Sequence, residues 1–177
     1  MKLMIASDIH GSSYYCDLLR KRFFEEQADK LLLLGDLLYH GARNPLPREY
    51  DTLKTAAILN GMKEFIFCVK GNCDSQVDTL VLQFPVQAQF AVFFAAGRTI
   101  AATHGHETPA RLKKGDVLLN GHFHVPAFEE RADCTYVNCG SVSIPKENSP
   151  HSCLLLEENE LRWIDLETGA VFKRENL

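Results

Sequence analysis

Short apolar runs in this chain break off, one after another, into small clusters of Asp, Asn, His and Gly. In order these are Asp8-Ile9-His10, Gly35-Asp36, Gly71-Asn72-Cys73-Asp74, His104-Gly105-His106, Gly121-His122-Phe123-His124, and then Asn138 and Ser141. A short apolar run that stops at such a cluster reads as a buried strand ending at a site. A sheet that delivers Asp, Asn and His from several strand ends builds a polynuclear metal site. Such a site points to metal-assisted hydrolysis.

The pattern between the clusters sets the fold class. Lys2 to Ser7, Lys30 to Leu34 and Glu64 to Val69 read as buried strands. Between them Tyr15, Leu18, Leu19 and Phe23 recur at helical spacing, and a second helix is expected from about Glu49 to Asn60, stopped by Gly61. That βαβαβ order predicts a parallel sheet with crossover helices. Open sheets of this kind bind ligands at the carboxyl ends of their strands, where the clusters lie. The second half is different. Val86 to Phe94, Thr99 to Thr103, Asp116 to Asn120, Ala127 to Arg131, Thr135 to Asn138, Ser152 to Glu157, Leu161 to Asp165 and Ala170 to Lys173 are short runs, with turn signals at Gly97-Arg98, Asn159 and Thr168-Gly169. Histidines from this half complete the set begun in the first. The expectation is an α/β (α+β) chain with two mixed sheets packed face to face and helices outside, forming one domain over residues 1–177.

With 177 residues the chain can bury a substantial core. A net charge of -4 argues against a broad grip on nucleic acid or anionic membrane, yet leaves room for a small phosphorylated substrate held through cations. No run is long and apolar enough to span a bilayer, and the opening Leu3-Met4-Ile5-Ala6 is too short for a signal peptide. The expected setting is cytoplasmic. The six cysteines contain no CxxC pair, so reduced and mostly buried thiols are expected in place of a zinc ribbon or a disulfide framework. One segment, Phe90-Ala91-Val92-Phe93-Phe94-Ala95-Ala96, is unusually apolar for one arm of a hairpin. Either both its faces are covered within the monomer, or one face makes the protein a homo-oligomer.

Taken singly, most clusters read as structure. An Asp-x-His is a common surface pair, Gly-Asp is commonly a turn, and His-Gly-His could be a solvated loop. Gly-Asn-x-Asp and Gly-His-x-His say more, because each joins a tight glycine turn to ligand-type side chains, and the joint order carries the metal reading. That order resembles the calcineurin-like metallophosphoesterase superfamily. Asn138-Cys139-Gly140-Ser141-Val142-Ser143-Ile144-Pro145 and the loop His40-Gly41-Ala42-Arg43-Asn44-Pro45-Leu46-Pro47 narrow the resemblance to its small bacterial and archaeal phosphodiesterases of the YfcE type. The resemblance covers nearly the whole chain and implies a four-layer αββα sandwich.

It also implies a ligand set. Asp8, His10, Asp36 and His124 resemble the ligands of one metal, and Asp36, Asn72, His104 and His122 those of a second, with Asp36 shared. A shared carboxylate offsets the repulsion of two close cations, and mixed nitrogen and oxygen ligands suit Mn2+ first, with Fe, Zn, Co or Ni as alternatives. A water between the ions, its pKa drawn towards neutrality, would attack phosphorus in line. Cys73 stands where many superfamily members carry His, and a thiol is a poorer acid near pH 7 than imidazolium. That trait favours phosphodiesters with good leaving groups over phosphomonoesters, or recruits another acid such as His106, which otherwise braces a ligand. Arg43 and Asn44 either contact a substrate phosphate or ribose or hold their loop, with the loop role favoured. His151 and Asp78 are read as surface residues. The competing reading from another class is a non-catalytic scaffold of the same fold, like the retromer subunit. A structural zinc role fits poorly with ligands dispersed so widely and no clear thiolate.

Overall fold

The computed structural model describes residues 1–106 and 112–177. Its first sheet grows from β1 (Lys2–Ala6), β2 (Lys30–Leu33) and β3 (Ile66–Cys68), all parallel, with Leu3 opposite Lys30 and Leu31 opposite Ile66. The near-continuous apolar sequence of β1 and β2 follows from burial on both faces, whereas the edge strand β3 leaves Phe67 60% exposed. Met4, Ala6, Leu31 and Leu33 belong to a core shared with the helices, and Leu3, Ile5, Leu32 and Leu34 to a core shared with the second sheet. Helix α1 (Ser13–Glu25) starts where the Ser12 hydroxyl accepts the Tyr15 N–H, and lays Tyr15, Leu19 and Phe23 inward at four-residue steps. Helix α2 (Thr52–Asn60) starts later than the sequence suggests, because the Asp51 carboxylate caps it through Lys54 N–H. The third strand also starts late: Lys63–Phe65 forms a single 3-10 turn first.

The second sheet contains β4 (Phe90–Ala95), β5 (Arg98–Thr103), β6 (Val117–Asn120), β7 (Ala127–Glu130) and β8 (Thr135–Asn138), in the order β4-β5-β6-β8-β7. β4 is shorter than the run from Val86 suggests, because Phe84 and Val86 pack into the helix-side core instead. The chain then returns through β9 (Ser152–Glu157), β10 (Glu160–Asp165) and β11 (Val171–Asn176). These complete a six-stranded first sheet, β11-β10-β9-β1-β2-β3. Two mixed sheets packed face to face and flanked by helices match the expected sandwich, and α1 and α2 both cover the six-stranded sheet. Trp163 on β10 is fully buried between the sheets and donates its indole N–H to the Asn138 carbonyl at 2.8 Å, tying one sheet to the other.

β4 alternates. Ala91, Phe93 and Ala95 pack towards the inter-sheet core, while Phe90 (49% exposed), Val92 (49%) and Phe94 (81%) face outward. The strand is therefore not covered on both faces within the monomer.

Candidate metal centre

The carboxyl ends of β1, β2, β3, β5 and β6 meet at one edge of the sandwich. Asp8, His10, Asp36, His122 and His124 all hold positive φ, between 49° and 64°. Asp and His tolerate this region better than most residues, and its local strain is characteristic of functional sites. Two glycines allow the strand ends to approach. A Cβ on Gly71 would collide with the Asp36 backbone and carboxylate, and one on Gly121 with the Ser7 side chain.

Three imidazoles are oriented by backbone carbonyls. Nδ1 of His10 meets the Tyr39 carbonyl at 2.8 Å, Nδ1 of His104 meets Leu34 at 2.7 Å, and Nδ1 of His124 meets Ile144. A carbonyl only accepts, so each Nδ1 carries a proton and each Nε2 is turned inward. There the Nε2 atoms converge on carboxylates. His124 Nε2 lies 3.1 Å from Asp8 Oδ1, with His10 Nε2 at 3.5 Å and His104 Nε2 at 4.0 Å. Asp36 Oδ2 lies 3.3 Å from His104 Nε2 and 3.8 Å from His10 Nε2. Asn72 Oδ1 sits 3.0 Å from His104 Nε2, and His122 Nδ1 lies 3.2 Å from the same nitrogen.

This donor set fits metal ions. Asp8 Oδ1 is buried and accepts no well-formed hydrogen bond, although three ring nitrogens crowd it. His10 Nε2 and His124 Nε2 face each other at 3.4 Å. Facing lone pairs repel unless a proton or a cation lies among them. The titration behaviour agrees. Burial by itself would lower the His104 pKa, but its hydrogen bond to Asp36 and the charges of Asp8 and Asp36 raise it to about 9. Burial likewise opposes charge on Asp8, yet His10, His124 and His104 hold it well below the usual carboxylate range. Asp36 moves the same way, held down by His104 and the Cys73 N–H against burial. The pocket favours positive charge at its centre. Among the described residues three triads, Asp8-His10-His124, Asp8-Asp36-His104 and His10-Asp36-Cys73, each bring their ligand atoms within 4.8 Å of one another.

Asp74 behaves differently from the cluster that contains it. Its carboxylate accepts Asp36 N–H at 2.8 Å, Leu37 N–H at 2.7 Å and Gly71 N–H at 2.7 Å. It clamps the β2 and β3 turns together, in keeping with its place outside the ligand set that the resemblance implies. Asn138 and Ser141 are bracing residues too. Asn138 donates to the Gly121 carbonyl, and the Ser141 hydroxyl, with that of Ser143, donates to the Asp8 carbonyl.

Cys73 donates its N–H to Asp36 Oδ1 at 2.7 Å, and its sulfur accepts from the Asn72 amide at 3.2 Å. Burial, then the nearby Asp36 carboxylate, push the thiol up to about 12. His106 is exposed at the rim, its ring centroid 5.5 Å from that of His104 and 6.1 Å from that of His122. His151 is half-buried: it stacks on Tyr15 at 3.7 Å and bonds the Val142 carbonyl. Asp78 caps the 3-10 turn Gln76–Leu80 through Ser75. A cleft of about 470 Å³ opens beside the cluster, lined by Asp36, Asn72, Cys73, His122 and His124 on the site side and by Arg43, Phe123 and Lys146 further out. Sequence reasoning missed Phe123 and Lys146. The only signal for Phe123 was its place between two ligand-type histidines.

Comparison with known proteins agrees with this geometry. Residues 1–160 match the profile of the calcineurin-like phosphoesterase superfamily domain. The chain is 40% identical over 175 residues to Phosphodiesterase YfcE of Escherichia coli (strain K12), covering 97% of this chain and 95% of that one. A solved structure of the E. coli YfcE phosphoesterase superposes with a TM-score of 0.94 at 39% identity, covering 99% of both chains. A Vps29 double mutant from Entamoeba histolytica shares the fold, with a TM-score of 0.65 at 19% identity over 100% of this chain and 99% of its own.

Proposed function

This chain belongs to the calcineurin-like phosphoesterase superfamily, and from that premise we propose that it hydrolyses a small phosphodiester, with two divalent ions, Mn2+ foremost, seated among its imidazoles and carboxylates. It is a hydrolase of phosphoric ester bonds. The observation that carries the finer reading is Asp8 Oδ1, buried, without a hydrogen-bond donor, and ringed by three inward-facing imidazole nitrogens. Bound cations supply an acidified water as nucleophile and neutralise the phosphoryl oxygens. Asp8, His10 and His124 would hold one ion and His104, His122 and Asn72 the other. Asp36, whose Oδ2 lies 3.3 Å from His104 Nε2 and 3.8 Å from His10 Nε2, would serve both.

The Asn72 side chain, exposed at the cleft, orients the phosphoryl group. Cys73 stays a neutral thiol near pH 7 and gives up its proton poorly, so departure depends on a leaving group that needs little help. This favours activated diesters over alkyl monoesters, leaving His106 as the candidate proton donor at the rim. Six unpaired thiols support a reducing, cytoplasmic setting. The outward Phe90, Val92 and Phe94 support self-association.

The test is hydrolysis of a simple aryl diester and of an aryl monoester after chelation, then with each divalent metal restored. Chelation should abolish activity, and Mn2+ should restore diester hydrolysis best. Asp36→Asn should retain the fold, lose metal and lose most of the activity. A folded Asp36→Asn protein with full activity would overturn the shared-carboxylate assignment.

A further inference from the structure

The cleft carries two positive side chains that no carboxylate among the described residues answers. Arg43 comes from the loop after β2 and Lys146 from the loop after β8, and both reach the same opening. Both loops are anchored to the site. Asn44 N–H meets the Gly41 carbonyl at 3.2 Å and its side chain donates to His40, closing the turn that holds Arg43. Lys146 N–H donates to the carbonyl of His124 at 3.1 Å. Several exposed cations elsewhere pair with carboxylates: Arg20 with Asp17, Lys54 with Glu49, Arg131 with Glu129, Arg174 with Glu160. A chain with 23 acidic and 19 basic residues has carboxylates to spare, yet none of the described ones meets Arg43 or Lys146.

The charge of the loaded site makes the surplus specific. Two divalent cations are matched by Asp8, Asp36, one charge on the nucleophile and one on a simple diester. Arg43 and Lys146 then remain over, and a substrate with only its scissile phosphate leaves them unmatched. Arg in particular is suited to a further phosphate or carboxylate. Phe123 stands beside them. It is 51% exposed, its ring is packed on His122 at 5.2 Å and 79°, and it gives the opening an aromatic wall. A planar ring system is the ligand chemistry that such a wall takes.

We propose that one ester arm of the substrate is a planar ring system bearing a second anionic group, the ring lying on Phe123 and the anion held by Arg43 and Lys146. A nucleotide with a phosphate beyond the scissile one has this chemistry. The proposal rests on the phosphodiesterase reading and adds the substrate class to it.

The experiment is calorimetric titration of Mn2+-loaded protein with thymidine 5′-monophosphate and thymidine 3′,5′-bisphosphate, beside hydrolysis of their 4-nitrophenyl esters and of methyl 4-nitrophenyl phosphate. The wild type should prefer the bisphosphate by about fivefold or more, the scale of one or two exposed ion pairs, and the preference should shrink as salt is added. Arg43→Gln combined with Lys146→Gln should remove that preference in both binding and kcat/KM. Phe123→Ser should weaken both nucleotides relative to inorganic phosphate and leave the preference for the second phosphate intact. Melting curves check that each variant stays folded. Equal affinity of the wild type for both nucleotides, or a preference that survives the double substitution, overturns the anion site. Nucleotide binding unchanged by Phe123→Ser overturns the ring contact. If no ester is hydrolysed with any metal, the phosphodiesterase reading fails by itself, and the titrations still decide the cationic opening.

Discussion

Asp74→Asn tests whether this carboxylate is a clamp and not a metal ligand. In the native protein it accepts three backbone N–H groups, from Asp36, Leu37 and Gly71, while 4% exposed. An asparagine keeps one acceptor oxygen, and its NH2 group faces an N–H that needs an acceptor. Burial raises the Asp74 pKa while the three backbone N–H groups oppose that rise, so the substitution takes away an acceptor that these donors need. One orphaned buried donor costs ~1–3 kcal/mol, and a lost bond to a charged acceptor is of similar size, so a total of about 3 kcal/mol is expected. For a chain of this length that lowers Tm by about 6–12 °C. The assay is thermal unfolding in chelator, which removes any contribution from bound metal, followed by metal titration. The variant should melt lower without metal and bind metal more weakly, because the Asp36 backbone has lost its support. A chelated variant melting within about 2 °C of wild type would show that the three hydrogen bonds do not clamp the turns.

Further predictions concern charge, acid supply and association. In chelated protein His104 has a folded pKa of about 9, above its ordinary 6.5. Its contribution to stability is therefore fully present below pH 6.5 and lost as pH rises through 9. The shift corresponds to at most about 3 kcal/mol, so chelated protein should melt lower at pH 9.5 than at pH 6, and equal Tm values would refute it. His10, raised too, adds in the same direction, while Asp8, depressed, contributes stability that is lost only in acid. Cys73→His places an acid with a pKa near 6.5 where a thiol stands. Rates on poor leaving groups should rise more than rates on activated aryl diesters, and equal slopes of log rate against leaving-group pKa would remove position 73 from acid catalysis. Phe94→Asp puts a charge at the most exposed position of the outward β4 face. Sedimentation should find wild type associated at micromolar concentration and the variant dissociated, and a monomeric wild type would end the oligomer reading.

The parts legible in the sequence were those fixed by local pattern. Runs such as Leu31 to Leu34 are apolar at every position because both faces of the strand are buried, and the chain must turn where Gly35 and Asp36 follow. The inward set Asp8, His10, Asp36, His104 and His124 could be read because each member closes such a run. What escaped depends on where a side chain points after the turn. Asp74 lies two residues from Asn72 in the same tight segment, yet accepts backbone N–H groups, and nothing in its type separates a clamp from a ligand. The same limit hid the brace on Asp8, since Ser141 and Ser143 act through their hydroxyls on its backbone carbonyl. Strand order was also closed to pattern, because β7 and β8 pair as a hairpin but β8, not β7, joins β6. That crossing places Asn138 beside Asn120 and its side chain on the Gly121 carbonyl. The Gly-His-x-His turn is thus supported from a strand that its own sequence does not mention. Arg43 and Lys146 are the extreme case. Lys146 is an ordinary loop cation in the sequence, and Arg43 is there only one of two open readings, until the two sheets bring a loop after β2 and a loop after β8 to one opening.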